Sequence, residues 1–133
     1  MNSTATQGPR STTILVCEDD DQLRTLVDVM LREHGYRVLL AARAEQAVEI
    51  AVANAGAIDV LVTDVHLQHM TGPELVERLH TIQPAFEVLF LSGYPADMVA
   101  GQPLPGGSEF LQKPFDKLSL LQTIRSLLDT RHH

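Results

Sequence analysis

Residues Thr12–Asp21 read TTILVCEDDD, an apolar run followed directly by four carboxylates. The run is short, continuous and rich in β-branched residues, which is typical of a strand that is buried on both faces. Apolar residues then recur at helical spacing and stop before Gly35, which predicts an amphipathic helix with that glycine as its C′ residue. This stretch therefore predicts the first strand–helix unit of an α/β fold.

The same alternation continues along the chain. Further strands are predicted over the segments YRVLLA (36–41), DVLVTD (59–64), EVLFLS (87–92) and FLQK (110–113). Helical spacing predicts helices between them, one of which opens at Thr71–Glu74 with Pro73 in its first turn. Because parallel strands need crossover connections, five strands alternating with about five helices predict a parallel sheet covered on both faces. The Gly- and Pro-rich segment 93–108 has room only for a short or irregular fourth helix.

Length and composition favour one domain. The chain has 133 residues, of which 44% are hydrophobic, and we expect that domain over residues 12–130. Residues 1–11 are polar and lack periodicity, which predicts a disordered lead-in, and residues 131–133 form a tail. The single cysteine, Cys17, lies in an apolar run and is expected to be a buried structural thiol.

Charge and hydropathy exclude two classes of partner. The formal net charge of -7 argues against direct binding of nucleic acid, which depends on Lys and Arg. No apolar run approaches the roughly 20 residues of a membrane span, and the N-terminus lacks the pattern of a signal peptide. We therefore expect a cytoplasmic protein that does not insert into a membrane.

Polar residues follow the predicted strands where a ligand site is expected, beyond the carboxyl ends of a parallel sheet. These residues are Glu18 and Asp19 after the first strand, Asp64 at the third, Ser92 at the fourth and Lys113 at the fifth. Carboxylates crowded in one crevice would repel by roughly 4 kcal/mol per close pair, which a divalent cation would relieve. The oxygen ligands favour Mg²⁺ over Zn²⁺. An aspartate beside a cation, a lysine and a hydroxyl is equipped to accept a phosphoryl group.

Four segments resemble the successive motifs of response-regulator receiver domains. They are ILVCEDDDQLRTL (14–26), VLVTDVHLQHMTGPEL (60–75), VLFLSGY (88–94) and FLQKPF (110–115). The resemblance runs from about Thr12 to Leu128 and implies a flavodoxin-like, doubly wound (βα)5 sandwich with strand order 2-1-3-4-5. It also implies a two-component or phosphorelay switch that accepts a phosphoryl group from a sensor histidine kinase or a histidine phosphotransfer protein. The last two motifs are most similar to receivers of hybrid histidine kinases or their free-standing relatives.

The resemblance assigns roles at the metal site. Asp64 is the implied phosphoacceptor, and Asp19 is implied to ligate Mg²⁺ directly together with Asp64. Glu18 would act through a metal-bound water or as the second acidic member of the site. His66 lies where the family supplies a backbone carbonyl to the metal. The family often has proline where this chain has Gln68, so we expect a less rigid loop after Asp64.

The resemblance also assigns a switch. Ser92 matches the hydroxyl residue that moves toward the phosphoryl group, Phe110 the switch aromatic, and Lys113 the site lysine followed by Pro114. Phe110 lacks the hydroxyl of the tyrosine often found there. By its position two residues past Ser92, Tyr94 would either flank the site and affect the access of water or be an ordinary surface aromatic. Phosphorylation would change the surface formed by the fourth and fifth strands and helices, which would act on a downstream target that the sequence does not identify.

Other interpretations remain open at this point. A phosphohydrolase of the haloacid-dehalogenase kind also uses an aspartyl phosphate, although its D-x-D motif would follow the first strand, where this chain has Glu18–Asp21. A phosphorylation-independent interaction module is a further alternative, and a homodimer is possible. His66 and His69 form an H-x-x-H pair, but no third ligand of clear spacing accompanies them, so a zinc site is disfavoured. We do not expect a conventional enzyme beyond transfer to Asp64 and hydrolysis.

Overall fold

The computed structural model describes residues 12–93 and 107–130. Its elements in chain order are β1 (Thr13–Cys17), α1 (Asp21–Glu33), β2 (Arg37–Ala41), α2 (Ala44–Ala53), β3 (Val60–Asp64), α3 (Gly72–His80), β4 (Glu87–Ser92), β5 (Glu109–Gln112) and α4 (Lys117–Thr130). The short fourth helix expected after β4, the lead-in and the tail lie outside the described residues. No helix in the described ranges has the length and apolar character needed to cross a bilayer.

The strands form one parallel sheet in the order β2-β1-β3-β4-β5. The predicted α/β class and the strand order that the resemblance implied are both confirmed. In the register, Asp64 pairs with Leu91 and Ser92 with Gln112, so the carboxyl ends of β3, β4 and β5 lie at one edge. The end of β1 is aligned with them, because Cys17 pairs with Thr63.

Successive residues of the central strands enter two separate cores. Ile14 and Val16 pack in the core beneath α1 and α4, whereas Leu15 and Cys17 pack in the core beneath α2 and α3. Every residue of β1 and β3 is buried. Full burial of one such aliphatic side chain contributes about 1.5–3 kcal/mol, so two continuous cores hold the sheet from both sides. Cys17 is buried as predicted.

Two helices begin with side-chain caps beside the carboxyl edge of the sheet. Asp20 is the N-cap of α1, and its Oδ1 accepts a hydrogen bond of 3.0 Å from the amide of Leu23. Thr71 caps α3 in a reciprocal capping box, in which the Glu74 amide donates to Thr71 Oγ1 at 3.2 Å and Glu74 Oε1 accepts from the Thr71 amide at 2.9 Å. These caps fix where the chain leaves β1 and where it re-enters a helix after β3.

The first residue of α3 sits directly against the backbone of β3. The amide of Gly72 donates to the carbonyl oxygen of Val65 at 2.6 Å. A Cβ atom at this position would lie inside the van der Waals envelope of the Asp64 carbonyl and 3.1 Å from Cε1 of buried Phe90. Glycine is therefore required by the close approach of α3 to Asp64.

The substitution Gly72→Ala tests this contact. We expect a loss of about 1–3 kcal/mol in the free energy of unfolding, because either the Asp64 backbone or α3 must shift. Urea unfolding measures the loss. Gly93→Ala is the matched control, since a Cβ at Gly93 meets no atom of residues 12–93 or 107–130 within 4 Å. Equal stabilities of the two variants would contradict the packing described for Gly72.

Candidate functional site

Polar side chains from four strand ends meet at the carboxyl edge of the sheet. They surround a cavity of about 210 Å³ that is lined by Asp19, Asp64, His66, Leu91, Ser92, Gly93 and Lys113. Glu18 does not line the cavity but is fully buried beside it, in contact with Lys113. The strand-end residues singled out in the sequence therefore lie together in space.

Lys113 joins two buried acids. Its Nζ lies 2.6 Å from Oδ1 of Asp64 and 3.1 Å from Oε1 of Glu18. Its backbone amide donates to the carbonyl of Ser92 at 2.7 Å, which continues the β4–β5 pairing and fixes where the side chain starts. Burial alone would lower the pKa of Lys113, but the hydrogen bond to Asp64 and the negative charges of Asp64 and Glu18 raise it overall. Lys113 is therefore a cation.

The site carries more negative charge than Lys113 neutralises. One carboxylate oxygen from each of Glu18, Asp19 and Asp64 lies within 4.8 Å of the others. Burial, followed by the neighbouring Glu18, raises the pKa of Asp64 to about 8 despite the contact with Lys113. Burial and then the hydrogen bond with Glu18 also raise the pKa of Asp19. The arrangement thus favours binding of positive charge, either as protons or as a metal ion.

The acidic cluster fits a hard divalent cation. Oε1 of Glu18 and Oδ1 of Asp64 are buried, and the ammonium of Lys113 lies 3.1 Å from the first and 2.6 Å from the second. These two oxygens are therefore charge-paired with Lys113 and retain acceptor capacity. Oxygen donors of this kind suit Mg²⁺. Within the described ranges, the group of three potential ligands is Glu18, Asp19 and Asp64, and neither His66 nor His69 belongs to it.

The loop that carries Glu18 and Asp19 is held at several points. The amide of Glu18 donates to Ala41 of β2 at 3.1 Å, and Oε2 of Glu18 accepts from the amide of Asp20 at 2.9 Å. The carbonyl of Glu18 accepts from Nη1 of Arg24 at 2.9 Å. Sequence reasoning did not single out Arg24, because a polar residue in the first turns of an amphipathic helix gives no sign of its partner.

The remaining predicted residues occupy different positions. His66 is exposed, lines the cavity and forms an isolated antiparallel bridge with Thr71. Phe110 is half-buried on β5, packs against the core beneath α2 and α3, and is not among the residues that line the cavity. Tyr94 lies outside the described residues. Gly72 was recognised in the sequence only as part of a helix start, since its contact with Asp64 joins segments that no local pattern relates.

Comparisons with known proteins show which family the chain resembles. The family model described as "Response regulator receiver domain" matches residues 14–125. The sensor kinase CckA of Brucella abortus (strain 2308) is 35% identical over 94% of this chain and 13% of the kinase. The 3',5'-cyclic-nucleotide phosphodiesterase regA of Dictyostelium discoideum is 32% identical over 92% of this chain and 16% of the phosphodiesterase. The chain thus spans less than a fifth of either relative.

A solved structure gives the same assignment. The crystal structure of the receiver domain from the hybrid histidine kinase CckA has a TM-score of 0.75 and 36% sequence identity, covering 87% of this chain and 98% of that one. The family model covers both the acidic loop after β1 and Lys113 after β5. The family model matches most of the chain and the fold agrees with that of a solved receiver domain, so the chain belongs to the response regulator receiver domain family.

Proposed function

We propose that this chain is a phosphorylation-dependent signalling switch in which Asp64 accepts a phosphoryl group from a phosphohistidine. The partner would be a sensor histidine kinase or a histidine phosphotransfer protein. One observation carries the proposal: Asp64 is only 4% exposed, lines a cavity at the strand ends and lies 2.6 Å from the ammonium of Lys113. A carboxylate that is shielded from water but reachable through a cavity suits the formation of an acyl phosphate.

The transfer step uses groups that line this cavity. A carboxylate oxygen of Asp64 forms a bond to phosphorus as the bond between phosphorus and the donor imidazole nitrogen breaks, and the imidazole takes up a proton. Lys113 compensates the charge on the phosphoryl oxygens in a largely dissociative transfer. Ser92 places a hydroxyl at the same cavity, where it can donate to one of those oxygens. Attack by water on the acyl phosphate releases inorganic phosphate and resets Asp64.

Mg²⁺ is the proposed cofactor. Asp19 and Asp64 would hold it directly, with Glu18 acting through a water and His66 through its backbone carbonyl. The support is the cluster of carboxylate oxygens within 4.8 Å and the surplus of negative charge around Lys113. When bound, the cation supplies charge neutralisation and orientation for phosphoryl transfer.

The switch itself is proposed to run through β4 and β5. Ser92 would move toward the new phosphoryl oxygens and half-buried Phe110 would turn inward, which changes the surface formed by these strands and the helices beside them. That surface would bind the downstream target. The haloacid-dehalogenase alternative has no support from the site, because β1 is followed by Glu18 and the matching family model is that of a receiver domain.

Phosphorylation of Asp64 can be tested with a small-molecule donor. Acetyl phosphate and Mg²⁺ should give a hydroxylamine-sensitive phosphoryl adduct, and Asp64→Asn should abolish it because the amide is a poor nucleophile. Intact-protein mass spectrometry measures the adduct. The control is Asp28→Asn, which changes a carboxylate of α1 that pairs with Arg32 away from the cavity. Labelling of the Asp64 variant to the wild-type level would refute the assignment.

The burial of Asp64 beside Glu18 predicts an unusual pH dependence of stability in the absence of metal. Because the pKa of Asp64 is raised from 3.8 to about 8, the folded chain binds this proton more tightly than the unfolded chain does. The contribution of Asp64 to the free energy of unfolding is therefore present at low pH and lost as the pH rises from about 4 through about 8. Mg²⁺ should raise the melting temperature more at pH 8 than at pH 5, where protons compete.

The same reasoning gives a variant to compare. Without Mg²⁺ at pH 8, Asp64→Asn should be more stable than wild type by on the order of 1–2 kcal/mol, because burial and the neighbouring Glu18 penalise a charged side chain at this position but not a neutral amide. Differential scanning calorimetry with and without Mg²⁺ measures both effects. A metal-free wild-type protein whose melting temperature rises between pH 5 and pH 8, with no response to Mg²⁺ at either pH, would show that the acids are not coupled as described.

A further inference from the structure

We propose that Arg24 is a positioning residue that sets the affinity of the acidic site for Mg²⁺ by fixing the peptide between Glu18 and Asp19. Its Nη1 donates to the carbonyl of Glu18 at 2.9 Å, and its Nη2 donates to Oδ1 of Asp21 at 2.5 Å. The side chain is only 19% exposed, so one guanidinium is held in place by two acceptors. This inference rests on the proposed function, since it concerns the same metal site.

The hydrogen bond from Arg24 to Glu18 lies just beyond the end of β1, where regular strand pairing ends. The amide of Glu18 still donates to Ala41 of β2, but Glu18 follows the last residue of β1. The carbonyl of Glu18 accepts instead from the guanidinium of Arg24, which lies one turn into α1. The backbone amide of Arg24 donates to the carbonyl of Asp20 at 2.9 Å. The guanidinium therefore connects the start of α1 to the peptide that separates the carboxylates of Glu18 and Asp19.

Rotation of that peptide would move both acids. Oε2 of Glu18 accepts from the amide of Asp20, so the Glu18 side chain already depends on the path of the loop. Asp19 is exposed and lies between the two residues that Arg24 and the cap of α1 hold. Residues that orient metal ligands through hydrogen bonds change metal affinity by roughly 10–100-fold when they are removed.

If Arg24 acts only through its charge, its removal should change the affinity for Mg²⁺ in the opposite direction from the one expected if it positions the ligands. Removing a cation next to a site for Mg²⁺ should tighten binding of the metal if Coulomb interaction alone matters. Removing a hydrogen bond that orients the ligands should weaken it. Arg24→Met keeps much of the side-chain length and loses both the charge and the donors, so the direction of its effect separates the two explanations.

The same helix contains a matched control. Arg32 also pairs with one aspartate and one backbone carbonyl, because its Nε donates to Asp28 at 2.5 Å and its Nη2 to Val38 at 3.2 Å. It lies in the last turn of α1, away from the acidic loop. Arg32→Met thus removes an equivalent set of contacts without touching the peptide between Glu18 and Asp19.

Isothermal titration of the purified chain with MgCl₂ tests the proposal. We expect the Kd of Arg24→Met to rise about 10-fold and that of Arg32→Met to stay within about twofold of wild type. Arg24→Lys, which keeps the charge but not the planar fork, should also bind more weakly than wild type. Tighter or unchanged binding by Arg24→Met, full affinity in Arg24→Lys, or an equal loss in Arg32→Met would overturn the positioning role.

A metal-free measurement keeps the test independent of activity. In wild type the amide of Asp20 is bonded to Oε2 of Glu18, so its hydrogen exchange should be slow for a loop amide. Arg24→Met should accelerate this exchange at least about tenfold while leaving core amides of β1 unchanged, and Arg32→Met should leave it unchanged. Unchanged exchange at Asp20 in Arg24→Met would contradict the proposal. Failure of wild type to bind Mg²⁺ would instead refute the proposed function.

Discussion

The ammonium of Lys113 is the one positive charge of the described structure that holds Glu18 and Asp64 together at the carboxyl edge of the sheet. Both carboxylates are buried, and removing either from water without compensation would cost several kcal/mol. Lys113 also reaches them from β5, at the far side of the sheet from β1. The relative positions of β1, β3 and β5 are thus linked by one electrostatic contact as well as by the strand ladders.

This contact is possible because the cores on both faces make the edge rigid. Central strands that are buried throughout cannot slide by one residue without turning their side chains into the wrong core. The register that follows places Asp64 beside Leu91 and Ser92 beside Gln112, which brings Lys113 within reach. The register of the sheet thus fixes the relative positions of the acids and of Lys113 at this edge.

Much of this arrangement follows from the sequence, because its main signals are local. Continuous apolar runs predict buried strands, helical spacing predicts the layers, and the rule for parallel sheets brings the residues at the strand ends together. The strand order itself came from the family resemblance. What the sequence does not show are side-chain and backbone contacts between a strand end and the helix that follows it: the contact of Gly72 with the Asp64 backbone and the hydrogen bond from Arg24 to Glu18. Neither Gly72 nor Arg24 stands at a spacing in the sequence that distinguishes it from an ordinary helix residue.

The close contact between Gly72 and the Asp64 backbone limits the directions in which a group added to Asp64 could displace the chain. On the side of α3, the backbone of Asp64 packs directly against Gly72. The capping box of Thr71 and Glu74 holds the start of that helix in place. On the other side, the amide of Lys113 donates to the carbonyl of Ser92 at the end of the β4–β5 pairing. A group added to Asp64, as proposed, would therefore be confined on the side of α3, so we expect any displacement of the chain on the side of β4 and β5.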